Sequence, residues 1–241
     1  NSVSEALVAS YPIVEKYWDK RIIAHNADAL EKLENIIQDV EGLFESKDVH
    51  WLQNSRSQAL IRHRLTTGED LVIKKYKIRN LDKRIRRAVT PSRAYRSWLG
   101  ARRLEQIGLP TPKPWLVMEN RFGPFRGMAY LFCEYCDGRS MIESYVTGTN
   151  STRENMEAAI ARMFVRLREH RISHRDTKDS NFLWSGDKLW ILDLDSIRYH
   201  RTALSAVQGS RRDVNLFVKS WHRHPDVQRR LRDVIEQALR T

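Results

Sequence analysis

The stretch that decides the fold is "SHRDTKDSNFLW", residues 173–184. It places a histidine, an arginine, two aspartates, a lysine and an asparagine between a helix-like segment and an apolar run. Upstream, in TRENMEAAIARMFVRLREHRI, the residues Met156, Ala159, Ile160, Met163, Phe164 and Leu167 recur at helical spacing, so that helix packs one stripe into a core. Downstream, FLWSGDKLWILDLD reads as a hairpin with Gly186 and Asp187 at its turn. A polar run in that setting is either a solvated helix exit or a loop that does chemistry.

The spacing favours chemistry. His174, Arg175, Asp176 and Asn181 match H-R-D-x-x-x-x-N, in which the aspartate accepts the proton of a substrate hydroxyl and the asparagine holds a metal. Asp193 follows twelve residues after Asn181, at the end of the run LWIL, where a phosphotransferase of this kind carries its second metal-binding carboxylate. Phosphoryl transfer needs an oxygen-donor pair converging on magnesium and a separate carboxylate facing the acceptor, which these three residues supply. Lys178, two residues after Asp176, is placed to neutralise charge on the moving phosphoryl group.

The first half of the chain supplies what such a site needs for a nucleotide. VHWLQ, QALIRHRL and EDLVIKKYK read as strands of an antiparallel meander, the last two joined through TTGED. In VIKK, Val72 and Lys74 share one face and Ile73 and Lys75 the other, and matching V-A-I-K puts Lys74 over the α and β phosphates of ATP, with Lys75 as the neighbouring candidate. On its own, a lysine at that position reads as an edge gatekeeper. Where a Gly-rich loop is expected, the chain has QNSRSQAL without glycine, so Ser55, Arg56 and Ser57 are the candidates to contact phosphates through side chains. A helix is expected from Thr90–Pro91 to Gly108, with Thr90 as its cap. Its acidic residue, Glu105, lies near the far end, away from where a partner for Lys74 is needed. Further strands are read in PWLVME and GMAYLFCEY, and further helices in DVNLFVKSW and PDVQRRLRDVIEQAL.

Ahead of the meander, DALEKLENIIQDVEGLFES repeats apolar residues at Leu30, Leu33, Ile36, Ile37, Val40 and Phe44, which predicts one packed helix capped by Asn26 or Asp28. The expected organisation is therefore a helical extension over 1–48, a nucleotide-binding lobe over 49–136 and a mostly helical catalytic lobe over 137–241.

Composition sets limits on partners. The 241 residues are 41% hydrophobic, enough for a sizeable core, and 42 Lys+Arg against 30 Asp+Glu give a formal charge of +12. That balance favours an anionic partner and disfavours a polycationic one. No apolar run approaches the ~20 residues that span a bilayer, and NSVSEALVAS lacks the order of a secretory signal, so a cytoplasmic location is expected. Cys133 and Cys136 lack further cysteines for a zinc site and read as packing residues. His222 and His224 read as surface or cap residues.

With those motifs in view, the chain resembles the lipopolysaccharide core kinases, which phosphorylate heptose or Kdo sugars. The likeness runs from about residue 50 to about residue 220, through the NSR loop, VIKKY, GLPTPKP, FCEYCDG, HRDTKDSNF, DLDSIR and RRDVNLF. It implies a two-lobed α+β protein-kinase-like fold, with an antiparallel-sheet N-lobe and a mostly helical C-lobe. It further implies ATP with magnesium, a sugar hydroxyl on an anionic glycolipid as acceptor, and a hinge around Glu134 and Cys136 that contacts the nucleotide. Asp213 would brace the catalytic loop. Several members of the family carry a glutamate where this chain has Ser97. A membrane-embedded acceptor suits a basic enzyme that docks peripherally on the inner membrane. KIRNLDKRIRR, residues 77–87, is a candidate surface for this, and reads equally as a run of solvated arginines. No nucleic acid is expected as a partner. Two other readings stay open: a small-molecule phosphotransferase of the aminoglycoside or choline type, and a non-catalytic kinase-like binding module.

Overall fold

Apolar residues alternate along the strands of the first half of the chain and give a sheet with two faces to cover. A computed structural model describes residues 12–17, 19–77, 90–122 and 125–240. They divide into two compact units, Asn1–Leu99 with Lys113–Tyr135, and Gly100–Pro112 with Cys136–Thr241. The expected docking run at 77–87 lies, apart from Lys77, outside the described residues.

The first unit holds β1 (Ile13–Lys16), β2 (Lys20–Ala24), α1 (Ala27–Gln38), α2 (Val40–Glu45), β3 (His50–Asn54), β4 (Gln58–Arg64), β5 (Asp70–Tyr76), the start of α3 (Arg93–Gln106), β6 (Pro114–Phe122) and β7 (Phe125–Glu134). The strands form one antiparallel sheet in the order β1-β2-β6-β7-β5-β4-β3. Residues 27–38 and 40–45 are helical, and the stretch before them adds two strands to the sheet.

The single helix predicted over 28–46 is two. Asp39 leaves helical geometry, and its carboxylate accepts the Gly42 amide at 3.0 Å, so it caps α2 instead of continuing α1. Asn26 caps α1 through the Ala29 amide at 2.9 Å. One sheet face, carrying Ile22, Ile61, Leu71, Ile73, Met118 and Phe132, is buried against Leu33, Ile37, Val40 and Phe44 of these helices. The other face, with Ile23, Val117, Ala129, Leu131 and Tyr76, is buried against Ala94 and Trp98 of α3. Burying side chains of this size contributes roughly 1.5–3 kcal/mol each, so each face draws much of its stability from the helices that cover it.

α3 starts at Arg93, and Ser92, not Thr90, takes the cap role, its Oγ accepting the Tyr95 amide at 3.0 Å. The helix ends where expected. Gly108 adopts φ +70°, and the Leu109 amide reaches back to the Leu104 carbonyl at 2.9 Å, a glycine-dependent helix stop.

The second unit contains β8 (Arg139–Ser140), α4 (Met141–Thr147), α5 (Asn150–Glu169), β9 (Ile172–Ser173), β10 (Phe182–Ser185), β11 (Lys188–Ile191), β12 (Arg198–Tyr199), α6 (Ala203–Ser220) and α7 (Pro225–Ala238). β10 and β11 pair as the expected hairpin, with Gly186 and Asp187 both at φ +56° in the turn. The α5 stripe is packed as read: Met156, Ile160, Met163, Phe164 and Leu167 are buried with Phe182, Phe217 and Trp221. Buried Glu157 ties three helices together, accepting Tyr145 Oη at 2.5 Å and two Arg230 nitrogens at 2.5 and 2.9 Å.

Candidate active site

The loop after β9 is built around four buried polar residues. Asp213, on α6 and 1% exposed, accepts the His174 amide at 2.6 Å and the Arg175 amide at 2.9 Å, while its carbonyl accepts the Thr177 hydroxyl at 2.6 Å. Burial is the largest influence on that carboxyl and raises it to about 6, against the two amides and the nearby Arg212 and Arg175, which lower it. His174 then joins this loop to the end of the hairpin. Its Nε2 bonds the Leu192 carbonyl at 3.0 Å and its Nδ1 accepts the Asp176 amide at 3.3 Å, an assignment consistent with a neutral ring whose pKa is lowered chiefly by burial. The Leu192 amide in turn donates to the Asn181 carbonyl at 2.9 Å.

Within that frame three of the expected residues meet. Asn181 Nδ2 donates to the Asp176 carbonyl at 2.7 Å and to Asp176 Oδ2 at 2.9 Å, and Lys178 Nζ lies 3.0 Å from the same Oδ2. Asp176 Oδ1 accepts no hydrogen bond among the described residues. The Asn181 amide nitrogen is committed to Asp176, which leaves its oxygen as the end of the side chain available to other partners; that oxygen and the Asp193 carboxylate are hard-oxygen donors of the kind magnesium takes. The donor chemistry fits a magnesium ion completed by water and phosphate oxygens. Among the described residues, no group of three or more His, Cys, Asp or Glu side chains forms a cage for a metal.

Backbone geometry marks the same place. Among the described residues, four non-glycine residues have positive φ: Arg171 follows the end of α5 and Asp187 is in the hairpin turn, while Arg175 (φ +70°) and Asp193 (φ +56°) flank the candidate site. Such conformations cost on the order of 1 kcal/mol or more for residues with a side chain, and persist where surrounding bonds hold them.

In the first unit, the two adjacent lysines separate cleanly. Lys75 bonds Glu41 of α2, which also accepts the Tyr130 hydroxyl, on the face covered by α1 and α2. Lys74 and Val72 take the other face. Lys74 is 8% exposed, its Nζ lies 5.3 Å from the Tyr76 ring centroid, and it shares a cross-strand row with Leu131 and Val117. α3 presents Ser97 to this face, buried and hydrogen-bonded to Tyr76 Oη at 2.9 Å. The acid that does lie buried on this face is Glu119, in the next row, between Arg21 (3.8 Å) and Arg121 (3.3 Å). Nothing in the sequence pattern marked it, because a lone glutamate in a strand reads as a solvated residue.

The β3–β4 turn is closed on itself. Ser55 Oγ accepts the Gln58 amide at 3.3 Å and the Ser57 amide at 3.4 Å and donates to the Gln58 carbonyl at 3.0 Å, while Lys77 Nζ reaches the Ser55 carbonyl at 3.0 Å. Arg56 is exposed within this turn. Glu134 ends β7, its carboxylate accepting the Lys113 amide at 3.3 Å, and Cys136 opens the following stretch of the second unit. Both cysteines are free, and burial pushes the Cys133 thiol up to about 12, as suits a packing residue.

Comparison with known proteins adds a family and a fold. The family described as lipopolysaccharide kinase (Kdo/WaaP) matches residues 43–237. Among solved structures, WaaP in complex with acyl carrier protein is 16% identical, covering 83% of this chain and 81% of that one, with a TM-score of 0.57. Amicoumacin kinase hAmiN, in complex with AMP-PNP, Ca2+ and Ami, is 14% identical over 86% and 77%, with a TM-score of 0.57. The Rio2 kinase from Chaetomium thermophilum, in an ADP/Mg2+-phosphoaspartate complex, is 13% identical over 99% and 83%, with a TM-score of 0.54. At these identities the three structures establish a kinase-like fold. No curated protein sequence matches the chain. No helix among the described residues is long and apolar enough to cross a membrane.

Proposed function

The chain belongs to the lipopolysaccharide kinase (Kdo/WaaP) family and is a phosphotransferase; from that premise we propose that it transfers the γ-phosphate of ATP to a heptose or Kdo hydroxyl of the lipopolysaccharide core, with Asp176 as base. The observation that carries this is the asymmetry of the Asp176 carboxylate: Asn181 and Lys178 hold Oδ2, and Oδ1 is left to accept a proton. A general base needs one oxygen fixed and the other within reach of the acceptor hydroxyl.

Magnesium, when bound, neutralises charge on the phosphates, and Asn181 and Asp193 are the residues that hold it. Lys178 offsets the charge gathering on the transferred group, and its bond to Oδ2 keeps it beside the reacting atoms. Lys74, with Val72 beside it, contacts the nucleotide phosphates, Ser55, Arg56 and Ser57 cover them, and the backbone around Glu134 and Cys136 meets the base. Asp213 and His174 are positioning residues. The acceptor is an anionic glycolipid, which suits the net charge of +12 and a cytoplasmic, membrane-peripheral enzyme.

The test is transfer of labelled γ-phosphate from Mg-ATP to purified lipopolysaccharide core, with heptose-only and Kdo-only oligosaccharides and an aminoglycoside panel alongside. Labelling of core saccharide at a defined sugar is expected. Labelling of an aminoglycoside in preference would replace this reading with the small-molecule one, which uses the same three residues.

A further inference from the structure

A cavity of about 220 Å³ lies in the second unit behind the catalytic loop, lined by Ser173, Arg175, Arg198, His200, Gly209 and Arg212, with Ser205 and Gln208 completing it. It draws on β9, the catalytic loop, β12, the residue after β12, and the first half of α6. Three arginines line it, and none makes a salt bridge among the described residues. The carboxylate beside them, Asp213, is already engaged with two backbone amides. The Asp213 carboxylate is close enough to act on Arg175 and Arg212, so one acid stands against three arginines.

The neutral part of the wall is fixed tightly. The Ser173 side chain is 1% exposed and its Oγ lies 2.5 Å from His200 Nε2, while the His200 amide donates to the Arg171 carbonyl at 2.8 Å. Gly209 permits this approach: a Cβ there would stand 2.5 Å from His200 Nε2 and 2.7 Å from Ser173 Oγ. His200 Nδ1 is buried without a hydrogen-bond partner. Burial, then Arg198 and Arg175, lower the pKa of that ring, so it adds hydrogen-bonding capacity to the wall without adding a fourth charge.

From three arginines lining one small cavity, in excess over the single carboxylate beside them, we infer that this pocket binds a phosphate monoester. Three arginines give planar forks that match phosphate oxygens, and the volume is below the ~300–1,000 Å³ of pockets that take larger organic ligands. Arg175 immediately precedes Asp176 in the chain, and an acceptor that already carries a phosphate is the ligand that would link this pocket to the transfer reaction. The pocket stands on its own residues; that its phosphate comes from the acceptor rests on the proposed function.

The test uses the full chain and the double variant Arg198→Gln/Arg212→Gln. Both side chains belong to exposed residues, so the fold is not at risk. Inorganic phosphate is titrated calorimetrically at constant ionic strength against chloride, and kinetics are run with phosphorylated and phosphatase-treated core acceptor. The expected result is phosphate binding by the wild type that weakens about tenfold or more in the double variant, as loss of charge-assisted bonds requires. A matching rise in KM is expected for the phosphorylated acceptor alone, with KM for ATP unchanged. Weakened phosphate binding with no change in acceptor KM would support the pocket with free phosphate as its ligand. Absence of phosphate binding by the wild type, or equal binding by the variant, overturns the inference. If no core acceptor is labelled at all, the proposed acceptor fails while the calorimetry still decides the pocket.

Discussion

The loop at 174–181 and the turn at 54–58 are both proposed to meet charged oxygen, yet they are held in opposite ways. In the loop, the anchors are buried: His174, Thr177, Asn181 and Asp213 are each 5% exposed or less, and they bond the backbone on either side of Asp176. In the turn, Ser55 supplies the bonds from inside the turn itself, and half-buried Lys77 supplies the brace. The contrast suits the work proposed for each. A base must sit within a fraction of an ångström of its proton, and misplacement by ~1 Å costs on the order of a hundredfold in rate. A grip on phosphate oxygens through side chains tolerates more movement, because charge attraction falls off slowly with distance.

The largest effect that would break this comparison is on the proposed metal pair. Asp193→Ala is expected to lower transfer by roughly a thousandfold or more and to remove the magnesium dependence of nucleotide binding, since metal stabilisation is worth several kcal/mol at the transition state. Nucleotide titrations with and without magnesium check this.

Next is the buried anchor. Asp213→Ala leaves two buried amides without an acceptor, at about 1–3 kcal/mol each, and is expected to lower both stability and kcat while KM for ATP holds. The pH dependence sharpens the point. The Asp213 carboxyl is raised in the folded state from 3.8 to about 6, so its stabilising contribution is fully present below the unfolded value and is lost as pH rises through about 6. The stability difference between wild type and Asp213→Asn is therefore expected to shift against the wild type between about pH 4 and pH 7, measured by urea denaturation at each pH. A difference that is flat with pH would contradict the buried-carboxylate account.

A smaller and more selective effect separates the neighbouring lysines. Lys74→Met is expected to lower transfer and nucleotide affinity with little loss of stability. Lys75→Met removes the partner of Glu41 and is expected to cost about 1 kcal/mol of stability, as a partly exposed pair does, without changing kcat. Smallest is Arg56→Ala, expected to raise KM for ATP by about two- to fivefold, as loss of one exposed charge contact would. An effect on kcat as large as that of Asp213→Ala would erase the distinction between loop and turn.

Much of this was legible because it is local in the chain. The H-R-D-x-x-x-x-N spacing, the hairpin turn at Gly186–Asp187 and the α5 stripe each occupy one continuous stretch, and the structure forms the loop, hairpin and helix there. What escaped depends on which groups compete for a backbone amide or on distant segments meeting. Asp39 lies on an unbroken apolar period, but its carboxylate captures the Gly42 amide and splits the helix. Ser92 outcompetes Thr90 as a cap for the same kind of reason. The strands at 13–16 and 20–24 are short, and their place is set by pairing with residues 116–120, far along the chain. The three arginines of the small cavity come from separate elements spanning residues 175–212, so no window of sequence holds them together.

The most direct measurement of the central claim is single-turnover transfer from Mg-ATP by Asp176→Asn, with nucleotide affinity determined on the same preparation. The account predicts transfer reduced by about 10²–10⁴-fold, with nucleotide affinity within about twofold of the wild type. Wild-type turnover in a variant that binds nucleotide normally would contradict Asp176 as the base, and with it the reading of the loop as catalytic.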